Sequence, residues 1–143
     1  LKLGIPVGLA VDGSASNDGS NLLEELRVAY LLHRLNSSSQ APDGYELLKL
    51  ATRGSAAVLG RSDIGSLEPG KAGDLFLIRK NRLELVGADL DPKSMLGTVG
   101  FKGAVDYTVV NGKIVVRNGK LTGIDEEKAV YEGKRAVNEY LNR

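Results

Sequence analysis

The pattern of apolar and polar positions changes character near Arg61. Before it, Val7-Gly8-Leu9-Ala10-Val11 is a short apolar run without alternation, the pattern of a strand buried on both faces, as in a parallel sheet. The run ends at nine residues of loop-forming type, 12–20. From Asn21 to Leu35 an apolar face recurs at helical spacing through Leu22, Leu23, Leu26, Ala29, Tyr30 and Leu31, with Asn21 and Glu24 set as a capping box. After a polar connection over 36–40, Pro42-Asp43 opens a second predicted helix to about Arg53, with Leu47, Leu48 and Ala51 inward and Gly54 as its stop. Ser55 starts a short helix, Ala56 to Leu59, ended by Gly60. Strand, loop, helix, helix is the order of an α/β unit.

Beyond Arg61 the spacing is that of strands and turns. Glu68-Pro69-Gly70-Lys71 predicts a type II turn. Strands are predicted from Asp74 to Arg79, Arg82 to Val86, Val105 to Val110, Lys113 to Arg117 and Lys120 to Thr122, and the pattern is weak between Gly87 and Gly103. Asn111-Gly112 and Asn118-Gly119 between β-rich runs are strong hairpin signals, which makes this stretch an antiparallel meander. Ile124 to Leu141 predicts a closing helix capped by Asp125, with Ala129, Val130, Ala136, Val137, Tyr140 and Leu141 apolar.

Composition narrows the functional classes. The chain has 143 residues, too few for a complete (β/α)₈ barrel, which needs at least about 200. Lys+Arg 19 against Asp+Glu 18 leaves no basic stripe, and aromatics are 5%, so nucleic acid is not the expected partner. Hydrophobic residues at 42% argue against disorder. No apolar run reaches the length of about 18 residues that a membrane-spanning helix requires. With Cys 0 there is neither a disulfide nor thiolate chemistry, which fits a reducing compartment, and a cytoplasmic location is expected. His 1 excludes a self-sufficient histidine-rich metal site. Gly 18, without low complexity, implies many tight turns. The chain begins at Leu1 with a buried-type strand almost at once and no secretory pattern, so it reads as a piece of a longer protein.

One constellation bears on chemistry. Asp12 stands at the carboxyl end of the apolar run, and in parallel α/β folds the loops at that end build the active site. A carboxylate there can ligate a metal, take a proton, or do both. The alternative is a loop-start aspartate that caps backbone amides. His33 falls within a helix and reads as a surface or packing residue. Glu24 and Glu25 suit the first turn of a helix, and Arg79-Lys80-Asn81-Arg82 reads as a solvated turn.

The run Gly8-Leu9-Ala10-Val11-Asp12-Gly13-Ser14-Ala15-Ser16-Asn17-Asp18 resembles the last barrel strand and its loop in the amidohydrolase superfamily. The resemblance is greatest to the aminohydrolase branch of 8-oxoguanine deaminases and hydroxyatrazine or s-triazine hydrolases. Leu50-Ala51-Thr52-Arg53-Gly54-Ser55-Ala56-Ala57-Val58-Leu59-Gly60 is similar to the helix that leaves the barrel. Ile64-Gly65-Ser66-Leu67-Glu68-Pro69-Gly70-Lys71-Ala72-Gly73-Asp74-Leu75 is similar to the entry into the family's β-sandwich, with Gly73 where Ala is common, and Val109-Val110-Asn111-Gly112-Lys113 matches the following hairpin.

The resemblance implies an α/β plus β architecture: the C-terminal remnant of a metal-dependent (β/α)₈ barrel, then a small antiparallel β-sandwich portion and a C-terminal helix. Residues 1–60 would be the last barrel strand, active-site loop and following helices, 61–122 the sandwich portion and 123–143 the closing helix. Asp12 would ligate one divalent metal, zinc or iron, and shuttle a proton for the attacking water. Ser14, Ser16 and Asn17 would orient the carboxylate or line the pocket, although each also suits an ordinary loop turn. The substrate would be a small heterocycle of purine or s-triazine type, losing an amine. The histidine ligands would lie upstream of Leu1, so this piece alone is expected to be inactive and without its metal, and either self-associated through unpaired strand edges as a homo-oligomer or set beside upstream chain. The competing expectations are a chlorohydrolase of the same branch and a non-catalytic binding or assembly module.

Overall fold

The computed structural model describes residues 3–13, 15–16, 19–37 and 39–142. The chain divides into two compact units, Leu1–Ala72 with Arg79–Gly103, and Gly73–Ile78 with Ala104–Arg143.

The first unit is helical. Its helices are α1 (Leu22–Ser37), α2 (Gly44–Lys49), α3 (Ser55–Val58) and α4 (Met95–Thr98). Asn21 caps α1 by accepting the amide of Leu23 at 3.1 Å. The reciprocal capping box predicted at Asn21 and Glu24 forms at α2 instead, where Asp43 Oδ1 accepts the Glu46 amide at 2.7 Å and Glu46 Oε2 accepts the Asp43 amide at 2.9 Å. The predicted stop at Gly54 does not occur. A π-helical turn, Leu50–Gly54, carries the helix from α2 directly into α3. The run ends at Gly60, φ +67, where the Arg61 amide reaches Ala56 O at 2.9 Å and the Gly60 amide reaches Ala57 O at 3.0 Å, a Schellman termination.

Packing explains why glycine holds two of these helical positions. A Cβ on Gly44 would lie 2.3 Å from the Ser94 carbonyl oxygen, and one on Gly97 would lie 2.8 Å from Gly44 Cα. Backbone therefore meets backbone where α2 and α4 touch. α1 packs on both. The core consists of Leu26, Leu47, Ala56, Leu85, Leu96 and Phe101, with the Arg82 guanidinium 5.0 Å from the Phe101 ring centroid. Arg27 Nη1 donates to Thr98 O, and Arg34 Nη1 donates to Pro42 O at 3.0 Å.

Two predicted strands of this unit are corrected. The run Val7–Val11 forms no strand, because a parallel-type strand exists only by pairing with neighbours, and no described segment pairs with it. Arg82 to Val86 contains a 3₁₀ turn, Leu83–Leu85, which buries Leu85 and leaves Leu83 90% exposed. Gly87, at φ +81, redirects the chain after it.

The second unit is a four-stranded antiparallel meander, β1 (Leu75–Leu77), β2 (Tyr107–Val110), β3 (Lys113–Arg117) and β4 (Lys120–Leu121), in the order β1-β2-β3-β4, followed by helix α5 (Glu126–Leu141). Both Asn-Gly turns form as predicted, with Asn111, Gly112, Asn118 and Gly119 at positive φ, as the two-residue hairpin of this hand requires. Asp74 Oδ1 accepts the Asn111 amide at 2.6 Å and pins the first hairpin to the start of β1. The register passes from Thr108↔Val116 to Val109↔Ile114, leaving Val115 as the extra residue of a β-bulge. Asp125 caps α5 by accepting the Lys128 amide at 3.0 Å. The described residues contribute one antiparallel sheet followed by a helix, the small antiparallel portion and closing helix that the sequence predicts.

Candidate active site

Asp12 follows the apolar run, and its exposed side chain stands on a backbone at φ +64. Aspartate tolerates this left-handed conformation better than most residues, because its short carboxylate can bond locally. Here Oδ1 accepts the Gly13 amide at 2.7 Å. That is the bond of a loop-start aspartate, and it engages one of two carboxylate oxygens. The next turn closes through the Ser16 amide, which donates to Gly13 O at 2.8 Å, with the Ser16 side chain exposed. Ser14 and Asn17 lie outside the described residues. His33 is exposed on α1.

The segment leading to Asp12 is held from α3 and the π-turn. Ser55 Oγ donates to Leu9 O, 3.1 Å away. A Cβ on Gly8 would lie 2.7 Å from Ser55 Oγ, and one on Gly54 would lie 2.1 Å from Val7 O. The chain reaches Asp12 pressed against the helical run, with glycine where contact is closest. The sequence marked Ser55 as a helix cap and missed this bond. No local signal encodes it, since its partner lies 46 residues away.

Asp12 offers one hard oxygen donor, which fits one ligand position of a divalent ion. Among the described residues, no three His, Cys, Asp or Glu side chains gather into a group that could hold a metal. The perturbed carboxylates sit elsewhere, in the turn over 61–72. The Arg61 guanidinium hydrogen-bonds Asp63 and holds its carboxyl below the usual range. Glu68 is lowered first by the Ser66 hydroxyl and then by the charge of Lys71. Both are exposed, and they brace a surface turn. No helix among the described residues is long and apolar enough to cross a membrane.

Comparison with known proteins identifies the family. Residues 1–115 match the model of the amidohydrolase family. Hydroxydechloroatrazine ethylaminohydrolase of Pseudomonas sp. (strain ADP) is 50% identical over 126 residues, which are 86% of this chain and 26% of that protein. The 8-oxoguanine deaminase of Pseudomonas aeruginosa is 45% identical over 122 residues, 85% of this chain and 27% of that one. A variant of atrazine chlorohydrolase from Arthrobacter aurescens TC1, crystallised with zinc and atraton, superposes with a TM-score of 0.85 at 40% identity, over 94% of this chain and 30% of that one. This chain thus spans about a quarter of the length of these curated relatives. A family match over most of its residues, joined to high identity and a shared fold, makes it a member of the amidohydrolase family.

Proposed function

We propose that this chain is the closing portion of a metal-dependent aminohydrolase that displaces an amine from a purine or s-triazine-like ring. The supporting observation is Asp12, a solvent-facing carboxylate at the end of the apolar run that resembles the family's last barrel strand. Gly13 holds Oδ1, which fixes the plane of the carboxylate. The Asp12 carboxylate would hold the metal, with zinc as the expected ion. When bound, the metal lowers the pKa of its water toward neutrality. Asp12 would take up the proton of the attacking water on its carboxylate and hand it to the departing amine, whose expulsion requires protonation. Ser14, Ser16 and Asn17 follow Asp12 closely in the sequence and are proposed to orient the carboxylate or contact the ring.

One carboxylate cannot retain a catalytic metal, for which about three protein ligands are usual. We therefore propose that the isolated chain is inactive, with its other ligands supplied by the remainder of a longer polypeptide and the fragment self-associating without it. The test is amine release from 8-oxoguanine and from hydroxydechloroatrazine by that longer polypeptide, with and without zinc. Asp12→Asn should lower kcat by about 10²–10⁴-fold, the usual worth of a positioned acid–base group. Full activity in Asp12→Asn, or zinc-independent turnover, would overturn the assignment. The similarity to a chlorohydrolase supports a second reading, in which the leaving group is chloride. Measuring chloride against amine release from chlorinated and aminated triazines separates the two.

A further inference from the structure

We infer that Ser55, set by the π-turn before it, is a positioning residue for Asp12: its hydroxyl clamps the Leu9 carbonyl and so fixes the base of the segment that presents the carboxylate. The inference rests on the proposed role of Asp12. A π-turn inserts one extra residue into a helix, and each residue advances the helix by about 100°. Across Leu50–Gly54 the Ser55 amide reaches back to Leu50 O, in the five-residue register of a π-turn. Gly54 and Ser55 thereby turn toward residues 7–9, where the Gly8 and Gly54 contacts leave no room for a Cβ.

The hydroxyl has one proton and two acceptors in range, Leu9 O at 3.1 Å and Leu50 O at 3.2 Å. Leu50 O already receives the Ser55 amide. Leu9 lies in no strand and its carbonyl is the nearer acceptor, so the proton goes to Leu9. Three residues later the chain turns left-handed at Asp12. The clamp therefore acts just upstream of that turn and limits where the carboxylate can stand.

The test uses the longer polypeptide with zinc, assayed on 8-oxoguanine and hydroxydechloroatrazine. Ser55→Ala should weaken zinc affinity and lower kcat by about tenfold each, as loss of a ligand-orienting contact does, with KM within about twofold. Ser55→Thr should restore both. In ¹⁵N spectra, the Asp12 and Gly13 amide resonances should move in Ser55→Ala and return in Ser55→Thr. Gly8→Ala, which pushes on the same contact, should lower kcat less than additively when combined with Ser55→Ala. Unchanged zinc affinity and kcat in Ser55→Ala would overturn the inference. So would a loss of thermal stability that parallels the loss of kcat and is not rescued by threonine. Asp12→Asn is the control: if it keeps zinc and activity, the role of Asp12 fails. If it loses both while Ser55→Ala loses neither, only the positioning inference fails.

Discussion

Helices α1 and α5 each contain 16 residues, and each carries an apolar set at helical spacing. They fare differently. α1 buries Leu26, packs on α2 and α4, and is tied by Arg27 to Thr98 at the end of α4 and by Arg34 to Pro42. α5 buries no residue, and Val137 and Tyr140 are exposed. Amphipathic spacing states that a helix has a face to bury. A partner must then supply the burial, because tertiary packing rather than propensity provides most helix stability in proteins.

The contrast can be broken by truncation. Leu47→Ala, at a fully buried position where α2 meets its neighbours, should cost about 2–5 kcal/mol. Val137→Ala in α5 should stay within about 0.5 kcal/mol. Urea denaturation of this chain reads both. Equal effects would mean that α5 is packed in solution.

A glycine pair sharpens the same point. Gly44→Ala forces a Cβ onto the Ser94 backbone and should destabilise by about 1–3 kcal/mol. Gly133→Ala meets nothing within 4 Å and should stabilise α5 by about 0.5–1 kcal/mol through helix propensity alone. Opposite shifts in melting temperature are the expected result.

The smallest expected effect concerns pH. Asp63 and Glu68 have carboxyls lowered in the folded state, so their contribution is present above the ordinary carboxylate range and is lost as pH falls through the lowered values. Their exposure keeps it small. Amide protection in the turn over 61–72, taken against the intrinsic exchange rate at each pH, should fall below about pH 4, where unfolded carboxylates take up protons, while protection in the hairpins holds steady.

Legibility follows the range of the interaction that decides each element. The Asn-Gly hairpins and the Asp125 cap could be read because positive φ and a side-chain cap are settled within four residues. The spacing of Asn21 and Glu24 predicts a capping box, but Asp43 and Glu46 have the same spacing and form it. Val7–Val11 reads as a strand only if neighbours are assumed, and Arg82 to Val86 is too short for alternation to outweigh the single anchor at Leu85. The π-turn left no trace in spacing, so Gly54 read as a stop where the chain needed a residue without a side chain against Val7. At the site, the residues alone left Asp12 open between ligand and cap. The role proposed for Asp12 rests on resemblance to a family, and the clamp from Ser55 is visible only in the three-dimensional contact.

The bulge in β3 adds a degree of freedom to the meander. Val110↔Lys113 and Val109↔Ile114 lie on one side of Val115, with Thr108↔Val116 and Tyr107↔Arg117 on the other. Removing that valine would shorten the strand by one link while every remaining couple kept its mate. The Thr122 amide would give up the Val115 carbonyl it now reaches at 3.0 Å. Chain length can therefore drift by one at this point without scrambling the ladder, a slack that neither two-residue hairpin possesses.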